Sequence, residues 1–151
     1  MDERETSLVC LLRDSFPKSS VNYAEAFGKD GQDNRYNQDK EVIAVNTAFD
    51  PYIILEENGK SSSELQTPRG KKRSYLFRKP YLLTAFFKTA SIESDLIEVL
   101  NTQFREITSI SYDKGAIFEK NTGQKAHDQE FMAIEIAFNM VYHENCIICP
   151  Q

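Results

Sequence analysis

Apolar and polar residues alternate most regularly near the carboxyl end of the sequence. From Phe131 to Tyr142 the even positions carry large apolar residues, namely Met132, Ile134, Ile136, Phe138, Met140 and Tyr142. Successive side chains of a strand point to opposite sides, so this period of two predicts a strand with one apolar face. The segment is longer than the usual strand of about five or six residues. We therefore expect it to reach beyond the domain and pack on a neighbour.

Two further elements precede this strand. Residues 79–88 are rich in aromatic residues and lack glycine, which predicts a strand with Pro80 as its first residue. The segment 92–107 has apolar residues at helical spacing, and Ser91 stands where an N-cap is expected. The pattern predicts a helix of about four turns between the two strands.

The flanking segments carry weaker patterns. Residues 5–16 place leucines at helical spacing before Pro17, which predicts a short amphipathic helix. Short apolar runs at 42–45 and 52–55 are expected to be strands, and Asn58-Gly59 after the second is a turn signal. Residues 107–119 alternate weakly and predict a further strand, broken at 113–115.

These elements predict one α+β domain over residues 1–151, a length typical of a single domain. The expected architecture is a mainly antiparallel twisted sheet packed against one long helix, plus a short N-terminal helix. Long polar loops are expected at about 28–41 and 58–74, and loops of such length are usually functional or disordered.

The charge balance excludes some partners. The formal net charge is −5, so the protein as a whole is not expected to attract nucleic acid or anionic lipid. No apolar run approaches the roughly 18 residues that a membrane helix needs. The N-terminus also lacks the order of a signal peptide, and we expect synthesis and folding in a cytoplasm.

One segment opposes this negative charge. Residues 69–79 carry a cluster of cations, namely Arg69, Lys71, Lys72, Arg73, Arg78 and Lys79. We interpret this cluster as a candidate docking arm for an acidic protein surface. Two alternatives are a phosphate-binding loop in which Tyr75 or Phe77 stacks on bases, and a solvated loop whose charges prevent aggregation of the aromatic residues beside it.

Candidate catalytic and metal-binding patterns are weak. Asp50, Glu56, Glu57 and Lys60 come nearest to a metal-dependent nuclease, but their spacing misses the required pattern. The polar loop from Asp30 lacks the glycine and glutamate positions of a calcium loop. No phosphate-loop or dinucleotide motif occurs. We therefore predict a protein that is not an enzyme, with no cofactor and no resident metal.

Two cysteines and a histidine lie close together at the carboxyl end. His143, Cys146 and Cys149 have a spacing that could supply zinc ligands, with Cys10 or His127 as a fourth. We expect an ordinary cysteine-containing tail, because a structural zinc site normally uses two such pairs. An intermolecular disulfide is a further alternative, since the chain has an odd number of cysteines.

The order of elements resembles that of bacteriophage tail terminator proteins, which are also described as tail completion or head–tail joining proteins. The resemblance rests on a short N-terminal helix, a strand that starts at Asp50-Pro51-Tyr52-Ile53-Ile54, the strand Tyr81–Lys88, the helix Ile92–Ile107 and the final strand Phe131–Tyr142. It covers most of the chain. The 28–41 loop and the basic 69–79 segment have no counterpart in the family pattern.

The resemblance implies a structural virion protein. Such a protein forms a ring, expected to be a hexamer, at the head-proximal end of a phage tail, where it ends tube polymerisation and joins the tail to the neck. Its partners would be further copies of itself and tail tube, sheath and neck proteins, with DNA only as cargo passing through the ring. One alternative is another head–tail adaptor, sheath-stabilising or baseplate component, and another is a small nucleic-acid-binding module or nuclease that uses the basic segment.

Overall fold

A computed structural model of the chain describes residues 3–24, 48–66, 74–102, 104–122 and 130–145. Helices and strands alternate irregularly along these segments. In chain order they are α1 (Glu3–Ser15), β1 (Ser20–Ala24), β2 (Tyr52–Glu57), β3 (Ser62–Gln66), β4 (Ser74–Phe87), α2 (Ser91–Leu100), β5 (Arg105–Ser111), α3 (Lys114–Thr122) and β6 (Met132–Asn145).

The two longest strands, β4 and β6, form the middle of the sheet. Each has 14 residues, and they pair in antiparallel register from Ser74 opposite Asn145 to Phe87 opposite Met132. The strand order is β1-β2-β4-β6-β5, with β3 also paired to β4. The β1–β2 pair is parallel and the other pairs are antiparallel. The predicted α+β class is confirmed, and the sheet is mixed.

β2 and β3 lie end to end along one edge of β4. β6 pairs with the opposite edge of β4 over its whole length. β2 and β3 therefore share the remaining edge of β4. The residues between them bulge outward opposite Lys79 and Pro80, and the Asn58 amide donates to the Pro80 carbonyl at 3.0 Å. Asn58-Gly59 therefore marks a bulge in an extended segment, not a hairpin. Pro80 is tolerated inside the strand because neither β2 nor β3 pairs with β4 there.

β3 lies within the 58–74 segment that was expected to be a loop, and β4 begins at Ser74 rather than Lys79. Part of the polar segment is thus a strand that pairs with β4. The strand forms because Ser62, Ser63 and Glu64 are exposed to solvent while its backbone groups extend the β4 ladder. The expected loop at 28–41 and the apolar run at 42–45 lie outside the described residues.

The larger core lies on the face of the sheet covered by α1 and α2. It contains the apolar stripe of α1, alternate residues of the strands and the inner side of α2; its fully buried members include Leu8, Leu12, Ile53, Leu55, Tyr81, Leu83, Leu96, Leu100, Ile134 and Ile136. The even-numbered residues of β6 from Ile134 to Met140 all belong to this core. The period of two in the sequence thus identifies the face of β6 that is buried.

A second core lies on the opposite face, under α3. It consists of Tyr52, Ile54, Phe86, Ile117, Phe118, Phe131 and Ala133. The Phe86 ring meets Phe118 and Phe131 edge-on, with ring centroids 6.0 and 5.7 Å away. Edge-to-face contacts suit the charge distribution of aromatic rings. The sheet is therefore covered on both faces.

The prediction of one long helix is wrong. α2 ends at Leu100, where the helix was expected to continue to Ile107, and Asn101 leaves the helical conformation with φ −99° and ψ 75°. The chain then pairs with β6 as β5, and Ile107 and Ile110 pack against the larger core. β-Branched residues favour this extended pairing. The longest described helix is α1, with 13 residues.

Two details of the helices also differ from expectation. Ser91 is the first helical residue rather than the cap, and the N-cap residue Ala90 makes no side-chain capping bond. α3 occupies part of the region predicted as a strand, because the Asp113 side chain accepts a hydrogen bond from the Ala116 amide at 3.1 Å. The helix then places Ile117 and Phe118 in the second core. None of the helices in the described segments is long and apolar enough to cross a membrane.

Candidate functional site

The cationic residues predicted as a docking arm divide into two groups. Arg69, Lys71, Lys72 and Arg73 lie outside the described residues, and their role stays a prediction. Arg78 and Lys79 lie within β4, where consecutive side chains point to opposite faces of the sheet. Each of the two contacts carboxylates of this chain.

Arg78 connects strands on the face of the sheet that carries the second core. Its Nε lies 2.9 Å from Glu106 Oε1 on β5, and its terminal nitrogen lies 3.5 Å from Glu64 Oε2 on β3. The Asn139 amide on β6 also donates to Glu106 Oε1, at 3.0 Å. These groups are partly solvated, so each pair contributes little on its own. Together they join β3, β4, β6 and β5 through side chains.

Lys79 holds a more buried cluster on the larger-core face. Its Nζ lies 2.9 Å from Glu57 Oε1 on β2 and 3.3 Å from Glu5 Oε1 on α1. The Tyr23 hydroxyl on β1 donates to Glu57 Oε1 at 3.2 Å. Only 3% of the Glu5 side chain is exposed, compared with 22% for Lys79. We call Glu5, Tyr23, Glu57 and Lys79 the Lys79 cluster.

The pKa values in this cluster follow from burial and from the paired charges. Burial raises the pKa of Tyr23, and its hydrogen bonds and charge interactions with Glu5 and Glu57 raise it further. Burial acts to lower the pKa of Lys79, but hydrogen bonds to Glu57 and Tyr81 and the charge of Glu5 outweigh it, so this pKa is raised. The lysine is therefore held as a cation. A charged lysine between two carboxylates braces α1 against the sheet and is not available as a general base.

A groove opens at the end of the sheet where β5 begins. β5 pairs with β6 as far as Met140, and the Phe104 carbonyl then accepts a hydrogen bond from the Val141 amide at 2.7 Å. Beyond this bond no described residue pairs with the outer edge of β6 up to Asn145. The first turn of α1 forms the other wall. The groove, which we call the edge groove, has a volume of about 830 Å³ and is lined by Glu3, Arg4, Ser7, Phe104, Arg105, Met140, Val141 and Tyr142.

Two arginines and two aromatic rings dominate the edge groove. The Arg4 guanidinium lies 3.8 Å from the centroid of the Tyr142 ring, a cation–π contact. Arg105 donates to the Val99 carbonyl at 3.2 Å, while its Nε is buried without an acceptor among the described residues. Burial lowers the pKa of Arg105 because it removes water from the guanidinium. Glu3 is the single acidic residue among the described lining residues, so the two arginines leave the groove with a net positive charge.

Apolar side chains remain partly exposed beside the groove. Phe77 stacks on Tyr142 with ring centroids 5.1 Å apart, and Tyr75 lies 6.1 Å from Phe77. Leu65, opposite Tyr75 in the β3–β4 register, is 50% exposed, and Phe104 is 59% exposed. We call Leu65, Tyr75, Phe77, Phe104 and Tyr142 the tip patch. Clustered exposed apolar residues of this kind mark interaction surfaces more often than isolated ones do.

The nuclease-like residues do not form a site. Asp50 accepts hydrogen bonds from the Lys88 amide at 2.8 Å and the Thr89 hydroxyl at 2.7 Å, which holds the turn before α2. Glu56 and Glu57 are consecutive in β2 and point to opposite faces. Lys60 lies exposed in the bulge. No group of metal-ligating side chains occurs among the described residues, and Cys146, Cys149 and His127 lie outside them.

Sequence reasoning missed the edge groove entirely. Arg4, Arg105 and Tyr142 stand on three elements and far apart in the chain, so no local motif connects them. The overlong final strand was the one indirect signal, because a seven-residue β5 cannot cover the whole outer edge of a 14-residue β6. The chain matches no protein-family model, and a search of curated proteins finds no match.

Proposed function

We propose that this chain is a structural virion protein that assembles into a ring at the head-proximal end of a phage tail. The proposal rests on the resemblance in the order of elements. α1, the strand that follows Pro51, the long strand β4, the helix α2 and the long strand β6 follow one another in the order of tail terminator proteins. In this role the ring ends tube polymerisation and joins the tail to the neck, with no catalytic step.

The tip patch is the observation that favours assembly. It lies at one end of the β4–β6 ladder and exposes large apolar residues, among them Leu65 at 50% and Phe104 at 59%. Burying such a surface against another subunit contributes roughly 25 cal/mol for each Å² of apolar area removed from water. Aromatic residues are also enriched at the centres of protein interfaces. Such an exposed apolar surface is expected in a structural protein that functions only in an assembly.

A ring requires each subunit to present two different surfaces that fit one another, repeated by rotation. The tip patch is proposed as one of them. The basic residues Arg69, Lys71, Lys72 and Arg73 are proposed to dock on an acidic surface of a tail tube, sheath or neck protein. DNA passes through the ring as cargo and is not a ligand of the basic segment in this proposal.

Size-exclusion chromatography with light scattering tests the assembly. We expect the wild-type protein to form a closed oligomer, or to assemble as its concentration rises. Leu65→Ser and Phe104→Ser remove exposed apolar surface without emptying the core, so each is expected to shift the protein toward the monomer. Met132→Ser is the matched control, because Met132 is 37% exposed at the opposite end of the same ladder.

The competing nucleic-acid function predicts a different outcome. A strict monomer that retards DNA at physiological salt, with an affinity that falls steeply as salt rises, would overturn the ring proposal. Charge reversal at Lys71, Lys72 and Arg73 separates the two functions further. Loss of assembly or of partner docking favours the structural role, whereas loss of salt-dependent DNA affinity favours the nucleic-acid function.

A further inference from the structure

Beyond Val141, none of the residues that the structure describes pairs with the outer edge of β6. On the inner edge β6 pairs with β4 along its whole length, but on the outer edge β5 begins only opposite Met140 and covers none of the residues after it. The Val141 amide points outward to the Phe104 carbonyl. Because backbone groups alternate along a strand, the amides of His143 and Asn145 point outward as well. A stretch of about 14 Å from Val141 to Asn145 can therefore accept another strand.

The chemistry of the edge groove favours an acidic occupant. Arg4 and Arg105 face the groove from its two walls, and Glu3 offsets only one of the two charges. The Arg105 guanidinium uses one donor on the Val99 carbonyl and leaves its buried Nε without an acceptor in the described chain. A guanidinium in the wall of a groove gains from a carboxylate nearby, since charge-assisted hydrogen bonds are the strongest that proteins make.

We propose that the edge groove binds an extended acidic segment of a partner protein, which adds as a strand to the outer edge of β6 and places carboxylates beside Arg4 and Arg105. The inference deepens the proposed assembly function and rests on it, since it names the chemistry of one partner. Backbone hydrogen bonds to His143 and Asn145 provide affinity, and alternate side chains provide selectivity. Apolar residues of the segment, which alternate with the acids, can rest on Phe104.

A labelled peptide tests the proposal directly. The probe is fluorescein-labelled Thr-Glu-Val-Glu-Phe-Glu-Val-Thr, in which acids and apolar residues alternate, and binding to the full chain is measured by fluorescence anisotropy. One control peptide replaces each Glu by Lys. A second control replaces each Val and Phe by Pro, which keeps the charge but removes backbone donors. We expect binding of the first peptide and at least tenfold weaker binding of both controls.

Variants of the groove give the second measurement. Arg105→Gln and Arg4→Gln are each expected to weaken binding by roughly tenfold, the loss of one charge-assisted contact. Lys88→Gln removes a cation at the opposite end of the β4–β6 ladder and is expected to leave the affinity unchanged. Circular dichroism and thermal unfolding confirm that each variant is folded before binding is measured.

Backbone amide exchange shows where the peptide lies. Bound peptide is expected to slow exchange at His143 and Asn145. Equal binding of the proline-containing acidic peptide, or unchanged affinity of both arginine variants, would overturn the proposal. Protection of these amides that grows with protein concentration alone would assign the edge to a second copy and also overturn it. Light scattering on the same samples reports ring assembly separately, so peptide binding can fail while the proposed function stands.

Discussion

Lys79 Nζ on the central strand lies 3.3 Å from Glu5 Oε1 in the first turn of α1, a contact between residues 74 positions apart. The Glu5 side chain is almost fully buried, and a buried carboxylate is costly unless a cation compensates it. Lys79 also pairs with Glu57, so one lysine holds α1, β2 and β4 together. A residue that the sequence predicts as part of a docking arm thus also braces α1 against the sheet.

Removing this lysine should therefore cost more than neutralising its buried partner. We expect Lys79→Met to lower the free energy of unfolding by about 3 kcal/mol, because it removes the cation that pairs with both the buried Glu5 and Glu57. Glu5→Gln should lower the free energy of unfolding by only about 1 kcal/mol, since Lys79 keeps its ion pair with Glu57. Urea denaturation followed by circular dichroism measures both, and the exposed Lys88→Met serves as the control. Equal losses for the two cluster variants would contradict the brace.

The same cluster predicts a loss of stability in alkali. The folded protein raises the pKa of Tyr23 above its ordinary value of 10.0 and that of Lys79 above 10.5. A raised pKa gives stability that is fully present below the ordinary value and is lost as the pH rises through the folded value. The urea midpoint should hold up to about pH 10 and fall above it. The urea midpoint of Tyr23→Phe should fall less steeply with rising pH than that of the wild-type protein. Parallel curves for the two proteins would exclude this contribution of Tyr23.

Gly59 and Gly115 make a matched pair of glycine substitutions. Gly59 has φ +111°, a conformation that side chains rarely adopt, although an added Cβ would meet Pro80 at an ordinary 3.7 Å. Gly59→Ala should therefore lower the free energy of unfolding by about 1–2 kcal/mol through backbone strain alone. Gly115 lies in the first turn of α3, where alanine favours the helix, and Gly115→Ala should raise stability by up to about 1 kcal/mol. Thermal unfolding of both variants checks the opposite signs.

The second core depends on α3, so truncating its main aromatic residue should be severe. Phe118 is 5% exposed and lies 5.3 Å from Phe131 between ring centroids. Phe118→Ala should lower the free energy of unfolding by about 3 kcal/mol. Phe104→Ala removes the same side chain from an exposed position and should change it by less than about 0.5 kcal/mol. Similar urea midpoints for the two variants would mean that α3 contributes little to the core.

The fold could be predicted best where the pattern is long and local. The alternation over β6 identified both the strand and its buried face, because twelve residues in one conformation repeat the same signal. α2 was predicted too long because Ile107 fits a helical stripe and an edge strand equally well. Only the pairing of β5 with β6 decides between them. α3 has a short and weak apolar pattern, and its packing under Phe86 and Phe131 compensates for that.

The sequence by itself determined the α+β class, the amphipathic α1 and the apolar face of the longest strand, since each depends on neighbours within a few residues. Tertiary structure decided the partners of Arg78 and Lys79, the end-to-end placement of β2 and β3, and the edge groove. These features join residues that are distant in the chain, such as Arg4, Arg105 and Tyr142. Their contacts depend on strand register and helix placement, which no local pattern encodes. Burial of the two cores selects that register, and the groove follows from where the paired strands end.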